Sequence, residues 1–549
     1  MADVPLLHHV HDYLVHYARA RGEEEAVVCG DERLTYTELL RRVRACAAAL
    51  GAAGIRPGDR VATLCDMQLE YLILFLATSM VGAVWMGLNP RYRAQELEHI
   101  LVDAGPRILF TLTRVPARDL AGDVRGLVAK ATTIERVVAL DADESGSGFE
   151  TFPAFLASGS DLDAVELRAM ARSGRDPVLL VYTSGTTGRS KGALLTHEGL
   201  IARAMTQNRM WPCAPIRVIN YLPINHIGGV GFISLYCLVA GGTQFLNERF
   251  DPDQFLAQMQ RERITIWIGL PTIFLMALER LAVTDMRVPD LQWVISSGAA
   301  LPTSAIGTLR ALEARIGTSY GLTESSGSVC YAPLDVDDDT LSRSIGRPVP
   351  DGEVRLADAN DVPVERGAPG EIQVRPEWAM SGYLNRPDAN RDVRTADGYV
   401  RTGDLGRQDE NGCIELIGRL KEMFKSGGYN VYPREVEQAI EEHPDVAACA
   451  VVPIAHPLFQ EVGVAFVQPA PDRAPQASTL REWCAARLAN YKVPKQFRLV
   501  DQLPVLNIGK VDRVALRKLA EVSPPVADDA APLGSLPGWS RSSNIGGHA

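Results

Sequence analysis

The sequence predicts an α/β fold: a large N-terminal α/β domain with a β-rich last portion, followed by a small mobile α+β C-terminal domain. Helical patterns alternate with short apolar strands through the first 300 residues, which is typical of a mostly parallel sheet. From about residue 343, glycines and prolines separate short alternating segments, and both patterns mix after Arg419. We expect domains at residues 1–420 and 421–520. Residues 521–549, rich in Pro, Ala, Gly and Ser, predict a disordered tail.

The individual elements follow from local spacing. Apolar residues recur at helical intervals over residues 36–50, and residues 60–65 then predict a short strand. Pro90 is predicted to open another helix, with a strand at residues 107–111. Further strands are predicted at residues 178–181, 217–222, 264–269 and 293–296. In the C-terminal domain we predict helices at residues 433–443 and 478–491 and strands at residues 449–453 and 463–467.

The longest apolar run, residues 71–88, is about long enough to span a bilayer. Gly82, Asn89 and Pro90 interrupt or end it, so a buried helix followed by a strand is favoured over a membrane segment. The N-terminus shows no basic region followed by an apolar stretch, so no secretory signal is predicted. Nine scattered cysteines without a C-x-x-C pair are typical of reduced thiols in a cytoplasmic protein. The net charge of −11 argues against a nucleic-acid partner.

The most informative segment is residues 178–197, in which an apolar strand leads into a loop of hydroxyls, glycines and cations. Glycine lets backbone N–H groups approach oxyanions, hydroxyls add donors, and cations offset negative charge. The segment therefore predicts a phosphate-binding loop. It differs from a Walker A loop in the spacing of its lysine. The residues are Thr183, Ser184, Gly185, Thr186, Thr187, Gly188, Arg189, Ser190, Lys191 and Gly192.

This loop resembles the signature loop of the adenylate-forming superfamily, which includes acyl-CoA synthetases, peptide-synthetase adenylation domains and beetle luciferases. The usual proline before the lysine is Ser190 here. The resemblance covers about residues 30–515, with the motifs in the family's order. It implies binding sites for ATP, Mg²⁺ and coenzyme A.

A second ATP motif is carried by residues 319–327, "SYGLTESSG". By resemblance, Tyr320 stacks on adenine, Thr323 contacts the α-phosphate, and Glu324 helps to hold Mg²⁺. Gly321 belongs to the same ATP-binding motif. An aromatic face suits a purine, and a carboxylate suits a hard cation. The segment Gly298, Ala299 and Ala300 resembles the residues that line the other face of the adenine.

A ribose motif is carried by residues 399–405, "YVRTGDL", in which Asp404 would accept hydrogen bonds from both ribose hydroxyls. Arg419 would reach the ribose or a phosphate. Lys421 occupies the family's hinge position between the domains. A solvated basic pair on a linker is the alternative for these two cations.

Two lysine motifs lie toward the C-terminus. Residues 425–433, "KSGGYNVYP", resemble the loop that serves the second half-reaction, with Lys425 catalytic and Gly427, Gly428 and Tyr429 lining a passage for the pantetheine arm. Residues 507–513, "NIGKVDR", resemble the catalytic-lysine motif, with Ile508 in place of the usual threonine. Lys510 is then the catalytic lysine of adenylation.

The acyl pocket is predicted around Asn225 and His226, where family members place a histidine near the bound carboxylate. A plain core histidine is the alternative for His226. None of the candidates carries a negative charge, so a zwitterionic amino acid is disfavoured as substrate. The other pocket candidates are Gly228, Ile268, Ser296, Ser297, Ser326 and Val329.

Together these motifs predict an ATP-dependent acid:CoA ligase that forms an acyl-AMP intermediate and acts on an apolar aliphatic, alicyclic or aromatic acid. Transfer to a separate carrier protein in trans, or to a nitrogen nucleophile, is the alternative. A nucleotide-binding regulatory protein without catalysis is disfavoured, because the motif lysines and carboxylates are all present.

Overall fold

The computed structural model describes residues 4–116, 118–141, 146–159, 173–183, 190–281, 287–298, 301, 303–334, 336–349, 354–505 and 511–522. The chain forms two compact units, one that includes Met1–Lys421 and one that includes Glu422–Leu506. The predicted α/β class is confirmed. The predicted tail lies outside the described residues.

Two large sheets form the body of the first unit, where the sequence pattern had indicated one mostly parallel sheet. Each has a parallel centre and antiparallel strands at one or both edges. In spatial order, the nine-stranded sheet contains β18 (Arg347–Pro348), β17 (Gly327–Tyr331), β16 (Arg315–Leu322), β15 (Trp293–Ser297), β14 (Ile266–Gly269), β12 (Arg217–Asn220), β13 (Thr243–Leu246), β1 (Glu25–Cys29) and β2 (Glu32–Thr35). The eight-stranded sheet contains β21 (Gly382–Tyr383), β11 (Lys191–Thr196), β10 (Pro177–Thr183), β4 (Val84–Leu88), β3 (Arg60–Leu64), β5 (Ile108–Thr111), β8 (Arg136–Ala139) and β9 (Glu150–Thr151).

The β-rich last portion of the first unit is an antiparallel four-stranded sheet of β19 (Val354–Ala357), β20 (Pro369–Val374), β22 (Val400–Gln408) and β23 (Ile414–Arg419). A short hairpin, β6 (Arg114–Val115) and β7 (Arg118–Asp119), lies earlier in the chain. The α-helices of this unit are Val10–Ala20, Tyr36–Ala52, Leu69–Met80, Ala94–Ala104, Leu120–Val128, Phe152–Ala157, His197–Met210, Tyr236–Ala240, Pro252–Arg261, Pro271–Leu281, Thr303–Arg310, Asp338–Arg343 and Pro387–Asp392, with a π-helix at Gly228–Leu235 and a 3₁₀ helix at Pro376–Trp378.

The long apolar run forms the buried helix Leu69–Met80 and the strand β4, as predicted. Every residue of this helix except Glu70 is buried, which explains why its sequence is apolar on all sides. No described helix is long and apolar enough to cross a membrane. The helix predicted to open at Pro90 begins instead at Ala94, because residues 90–93 form a turn. All nine cysteines are free, and all but Cys29 are buried, as predicted.

The second unit is built on a sheet of β25 (Tyr429–Val431), β24 (Phe424–Ser426), β27 (Gln460–Pro469), β26 (Val446–His456) and β28 (Gln496–Leu499). Its helices are Pro433–Glu441, Ala477–Ala485 and Arg513–Val522. The helix predicted over residues 478–491 is thus shorter than expected. The strands predicted at residues 449–453 and 463–467 are each longer.

A buried ion pair ties two helices of this unit together. Arg513 donates to Glu437 over 2.6 Å and 3.0 Å, and the backbone N–H of Val451 donates to the same carboxylate over 2.8 Å. Burial by itself would raise the pKa of Glu437, but the charge and hydrogen bonds of Arg513 outweigh burial and hold that pKa below its usual value. The pair stabilises the fold only while both partners remain, because either charge alone would be buried without compensation.

Candidate active site

The predicted phosphate loop connects two antiparallel strands. Thr183, the last residue of β10, pairs with Lys191, the first residue of β11. The sheet therefore fixes the two ends of the loop, and Thr183 and Lys191 lie side by side where the loop begins and ends. The intervening candidates Ser184, Gly185, Thr186, Thr187 and Gly188 lie outside the described residues.

The carboxylate of Glu324 lies beside this strand pair. The Thr183 hydroxyl donates to Glu324 Oε1 over 3.3 Å, and the Tyr383 hydroxyl donates to the same oxygen over 2.8 Å. Lys191 Nζ lies 5.2 Å from the centre of the Tyr383 ring. Tyr383 reaches the site because β21 pairs with β11, with Tyr383 opposite Ala193. Sequence reasoning missed this tyrosine.

The surroundings of the Tyr383 phenol fix its protonation state. Burial raises the pKa of Tyr383, and the neighbouring Glu324 carboxylate raises it further. The phenol therefore stays protonated at neutral pH and donates to the carboxylate. Among the described residues, both hydrogen bonds to this carboxylate end on Oε1. Because the Thr183 and Tyr383 hydroxyls both donate to Oε1, the other carboxylate oxygen, Oε2, can bind a hard cation such as Mg²⁺. The residues therefore fit that ion.

A second cluster surrounds Asp404, which is 1% exposed. The Tyr320 hydroxyl donates to Asp404 Oδ2 over 2.5 Å, and Arg419 Nε lies 2.9 Å from Oδ1. Asp404 and Arg419 meet because they are paired residues on β22 and β23. Burial and the Asp404 charge both raise the pKa of Tyr320, which keeps its hydroxyl a donor. Three of the predicted ATP-binding residues are thus brought together.

The β16–β17 hairpin contributes one residue to each cluster, Glu324 to the first and Tyr320 to the second. Tyr320 is in β16, and Thr323 and Glu324 are in the turn before β17. Gly321 is required here by packing, since a Cβ at this position would lie 2.1 Å from the carbonyl oxygen of Gly327. Thr323 is 5% exposed. The turn thus holds the aromatic ring and the acid four residues apart on one rigid element.

The structure places Asn225 and His226 in the loop between β12 and the π-helix Gly228–Leu235, an irregular element often found at functional sites. The Asn225 amide donates to the Tyr92 hydroxyl over 2.8 Å, and its buried Oδ1 has no hydrogen-bond partner among the described residues. His226 Nδ1 accepts the backbone N–H of Gly228 over 3.0 Å, which fixes the ring tautomer. Nε2 therefore carries the proton of the neutral imidazole.

The other acyl-pocket candidates are not all brought together. Ser296 and Ser297 are consecutive in β15, so their side chains point to opposite faces of the sheet. Ser297 Oγ donates to the backbone oxygen of Ser319 over 3.2 Å. Ile268 packs in a cluster around Trp211, whereas Val329 packs in a different cluster.

Two of the remaining candidates occupy left-handed backbone positions. Ser326 has φ 60° and a buried Oγ that lacks a partner among the described residues. Gly298 has φ 87° directly after β15, a conformation that favours glycine. Ala299 and Ala300 lie outside the described residues.

A cavity beside Asn225 was missed by sequence reasoning. It lies where β3, β4, β12 and β13 end, the edge at which ligands bind in parallel sheets. Its charged groups come in opposite pairs, Asp66 with Arg91 at 3.6 Å and Glu248 with Arg249 at 3.3 Å. A signal was available for Asp66 and Arg91, because each follows a predicted strand, whereas no strand was predicted before Glu248 and Arg249.

In the second unit, Lys425 is exposed on β24, and Gly427 and Gly428 form the turn to β25. Their φ angles of 58° and 87° lie in the left-handed region, which favours glycine. The backbone of the turn thus gives a second reason for these glycines, in addition to the open passage that the sequence predicted. Tyr429 is 60% exposed and stacks on Tyr491, with 4.6 Å between ring centres. Lys421 is an exposed turn residue of the first unit, and Lys510 lies outside the described residues.

Comparison with known proteins decides the family. A family model described as AMP-binding enzyme matches residues 14–384, and one described as AMP-binding enzyme C-terminal domain matches residues 435–510. The chain belongs to the AMP-binding enzyme family. The resemblance inferred from its motifs is confirmed.

Relatives in the AMP-binding enzyme family match almost the whole length of this chain. A feruloyl-CoA synthase of an Amycolatopsis species is 34% identical over 92% of this chain and 97% of its own length. A 3-[(3aS,4S,7aS)-7a-methyl-1,5-dioxo-octahydro-1H-inden-4-yl]propanoyl:CoA ligase of Mycobacterium tuberculosis is 34% identical over 91% and 97%. This member of the AMP-binding enzyme family is therefore an AMP-forming acyl-CoA ligase that uses ATP and coenzyme A.

Two solved structures share the fold. ATP-bound MatB from Rhodopseudomonas palustris is 29% identical, with a TM-score of 0.82 over 94% of this chain and 99% of that chain. The amide bond synthetase McbA from Marinactinospora thermotolerans is 28% identical, with a TM-score of 0.82 over 93% and 99%.

Proposed function

We propose that this ligase activates an apolar aliphatic, alicyclic or aromatic monocarboxylic acid as its acyl-AMP and transfers the acyl group to coenzyme A. The absence of negative charge from the predicted acyl-pocket residues supports this substrate class, since a free ammonium group would be buried without a partner. The names of the two relatives, each of which joins a ring-containing acid to coenzyme A, point in the same direction.

The observation that carries the proposal is the pair of clusters on the β16–β17 hairpin. Tyr320 and Asp404 offer an aromatic face beside a buried carboxylate, which suits adenine and a ribose diol. Glu324 lies four residues further on, beside the strand pair that frames the phosphate loop. In this proposal these groups would meet the base, the ribose, the phosphates and the cation of ATP in turn.

In the proposed first step, a carboxylate oxygen of the acid attacks the α-phosphorus of ATP. The bond from that phosphorus to the bridging oxygen breaks, and pyrophosphate leaves with the electron pair. Thr323 and Lys510 would stabilise the charge that develops on the phosphoryl oxygens, the kind of interaction that is strongest in the transition state. Lys191 would hold the departing pyrophosphate. Mg²⁺ held by Glu324 would neutralise phosphate charge.

In the second step, the thiolate of coenzyme A attacks the acyl carbon, and AMP leaves with the carboxylate oxygen it gained. The thiol proton passes to solvent or base. We propose that residues 421–520 act as a separate domain in this step, with Lys425 and the Gly427–Gly428 turn beside the thiol. The exposed Tyr429 ring, which stacks on Tyr491, would line the passage for the pantetheine arm beside this turn.

A nitrogen acceptor is the second candidate, and the McbA structure favours it. That protein is an amide bond synthetase with the same fold at 28% identity. The acyl-AMP chemistry would be unchanged, and an amine would replace the thiol. Transfer to a carrier protein in trans remains a prediction.

The proposal is tested by AMP formation over a panel of carboxylic acids, each with coenzyme A, with an amine, or with neither. We expect ring-containing or aliphatic monocarboxylates with coenzyme A to give AMP and thioester in equal amounts. Zwitterionic amino acids and dicarboxylates should be far slower. Faster turnover of an amino acid would overturn the substrate class, and amide in place of thioester would overturn the acceptor.

A further inference from the structure

Tyr383 contacts two charged side chains beside the predicted phosphate loop, and the proposed mechanism uses it in no step. Its hydroxyl donates to Glu324 Oε1 over 2.8 Å, and its ring centre lies 5.2 Å from Lys191 Nζ. A phenol can bind a carboxylate through its hydroxyl and a cation through its ring face at the same time. One side chain thus contacts both the proposed ligand of Mg²⁺ and the proposed ligand of pyrophosphate.

The backbone around Tyr383 is held by hydrogen bonds on both of its edges. In β21, Tyr383 lies opposite Ala193 of β11, and the N–H of Leu384 donates to the carbonyl of Gly192 over 2.8 Å. The Asn390 side chain accepts from the Tyr383 N–H over 2.6 Å and donates to the Tyr383 carbonyl over 2.9 Å. The phenol is therefore carried by a fixed backbone.

Glu324 is bound to the same segment through its main chain as well as its side chain. The N–H of Met380 donates to the Glu324 carbonyl over 2.9 Å. The other donor to Oε1, the Thr183 hydroxyl, lies at 3.3 Å, which is beyond the usual range for an O–H donor. Among the described residues, Tyr383 is thus the stronger partner of this carboxylate, and it determines which oxygen is left for a cation.

We propose that Tyr383 is a positioning residue for adenylation, which orients the Glu324 carboxylate so that Oε2 can bind the cation and which steadies Lys191 for pyrophosphate. This inference rests on the proposed roles of Glu324 and Lys191. Tyr383 itself would touch neither substrate nor cation. A hydrogen-bond partner that holds a metal ligand typically contributes about 10- to 100-fold to metal affinity, so its loss is measurable.

Tyr182 provides a matched control. Its hydroxyl donates to Asp103 Oδ2 over 2.7 Å, so it also makes a hydrogen bond from a phenol to a carboxylate, at a similar distance. It precedes Thr183 in β10, and consecutive residues of a strand face opposite sides of the sheet. Tyr182→Phe therefore removes the same kind of hydrogen bond on the face away from Glu324.

The test measures ATP binding by calorimetry in the absence of any carboxylic acid, once with Mg²⁺ and once with a chelator. The ratio of the two Kd values gives the gain in affinity that the cation provides, without turnover. The variants are Tyr383→Phe, which keeps the ring, Tyr383→Leu, which loses it, Tyr182→Phe and Glu324→Gln. Circular dichroism and the melting temperature of the unliganded chain show which variants fold, and either folded Tyr383 variant decides the question.

We expect Tyr383→Phe to bind ATP like wild type in the chelator, with the Mg²⁺-dependent gain reduced about tenfold. Tyr383→Leu should lose the same gain and should also bind ATP roughly threefold more weakly in the chelator, because Lys191 loses its contact with the ring. Tyr182→Phe should keep the wild-type gain, although its melting temperature should fall as it does in Tyr383→Phe.

The Glu324→Gln variant separates this inference from the proposed function. If Glu324→Gln loses the gain while a folded Tyr383→Phe keeps it, the positioning role is wrong and the cation site stands. If Tyr182→Phe loses the gain as fully as Tyr383→Phe, the effect is general destabilisation, and the positioning role is again wrong. A wild-type gain that Glu324→Gln retains would refute the assignment of the cation to Glu324 and, with it, the role of Tyr383.

Discussion

Replacing Asp404 with Asn should weaken ATP binding without unfolding the protein. The carboxylate is 1% exposed, accepts the Tyr320 hydroxyl over 2.5 Å and has Arg419 Nε at 2.9 Å. Asn keeps the shape but loses the charge and one acceptor. Loss of a charge-assisted hydrogen bond to ribose costs about 1.5–3 kcal/mol, which is roughly a 10- to 100-fold rise in the KM for ATP. Since ribose is bound equally before and during reaction, kcat should change much less.

The assay is acid-dependent pyrophosphate exchange at varied ATP concentration. Asp397→Asn is the matched control, because Asp397 also pairs with an arginine, Arg355, over 2.6 Å but is 55% exposed at its side chain. Its KM for ATP should be unchanged. Equal KM values in the two variants would refute the assignment of Asp404 to the ribose. A drop in kcat alone would place Asp404 in the chemistry instead.

The remaining predictions test other parts of the chain. Glu324→Gln should raise the Mg²⁺ concentration needed for half-maximal exchange at least tenfold, and an unchanged requirement would argue against a metal role. Lys510→Ala should slow exchange by about 10²- to 10³-fold yet still form thioester from synthetic acyl-AMP, while Gly428→Trp should do the reverse; equal loss of both half-reactions in both variants would contradict the division of labour. Glu437→Gln should destabilise the second unit by about 3 kcal/mol in chemical denaturation, against within about 0.5 kcal/mol for Glu442→Gln. Because the folded pKa of Glu437 is lowered, its contribution is present above the unfolded value of 4.5 and is lost as pH falls below that value, so the two variants should converge in acid.

Patterns in neighbouring residues predicted those helices, strands and loops that neighbouring residues determine. The apolar run at residues 71–88 favoured a buried helix followed by a strand over a membrane segment, and both the helix and the strand are present. The loop at residues 183–192 carried enough phosphate chemistry to predict a phosphate-binding loop by itself, whereas ATP followed only from the family resemblance. Pro90 misled the prediction because a proline can begin a turn as readily as a helix.

Pairing between strands that are distant in the sequence could not be predicted. The strand β1 pairs with β13 about 200 residues later, and nothing local reports which of two sheets a strand joins. Tyr383 contacts Glu324 only because β21 pairs with β11, and a lone tyrosine in "SGYLN" gives no such signal. The separation of Ser296 from Ser297, in contrast, could have been predicted, since alternate residues of a strand face opposite sides.

The central claim is that the acid attacks the α-phosphorus of ATP and leaves one oxygen on AMP. A single-turnover reaction with an accepted acid labelled in both carboxylate oxygens with ¹⁸O, followed by mass spectrometry of the nucleotide, measures this directly. The account predicts AMP that carries one ¹⁸O and a thioester that keeps the other. Unlabelled AMP, or ¹⁸O in inorganic phosphate together with ADP, would contradict it.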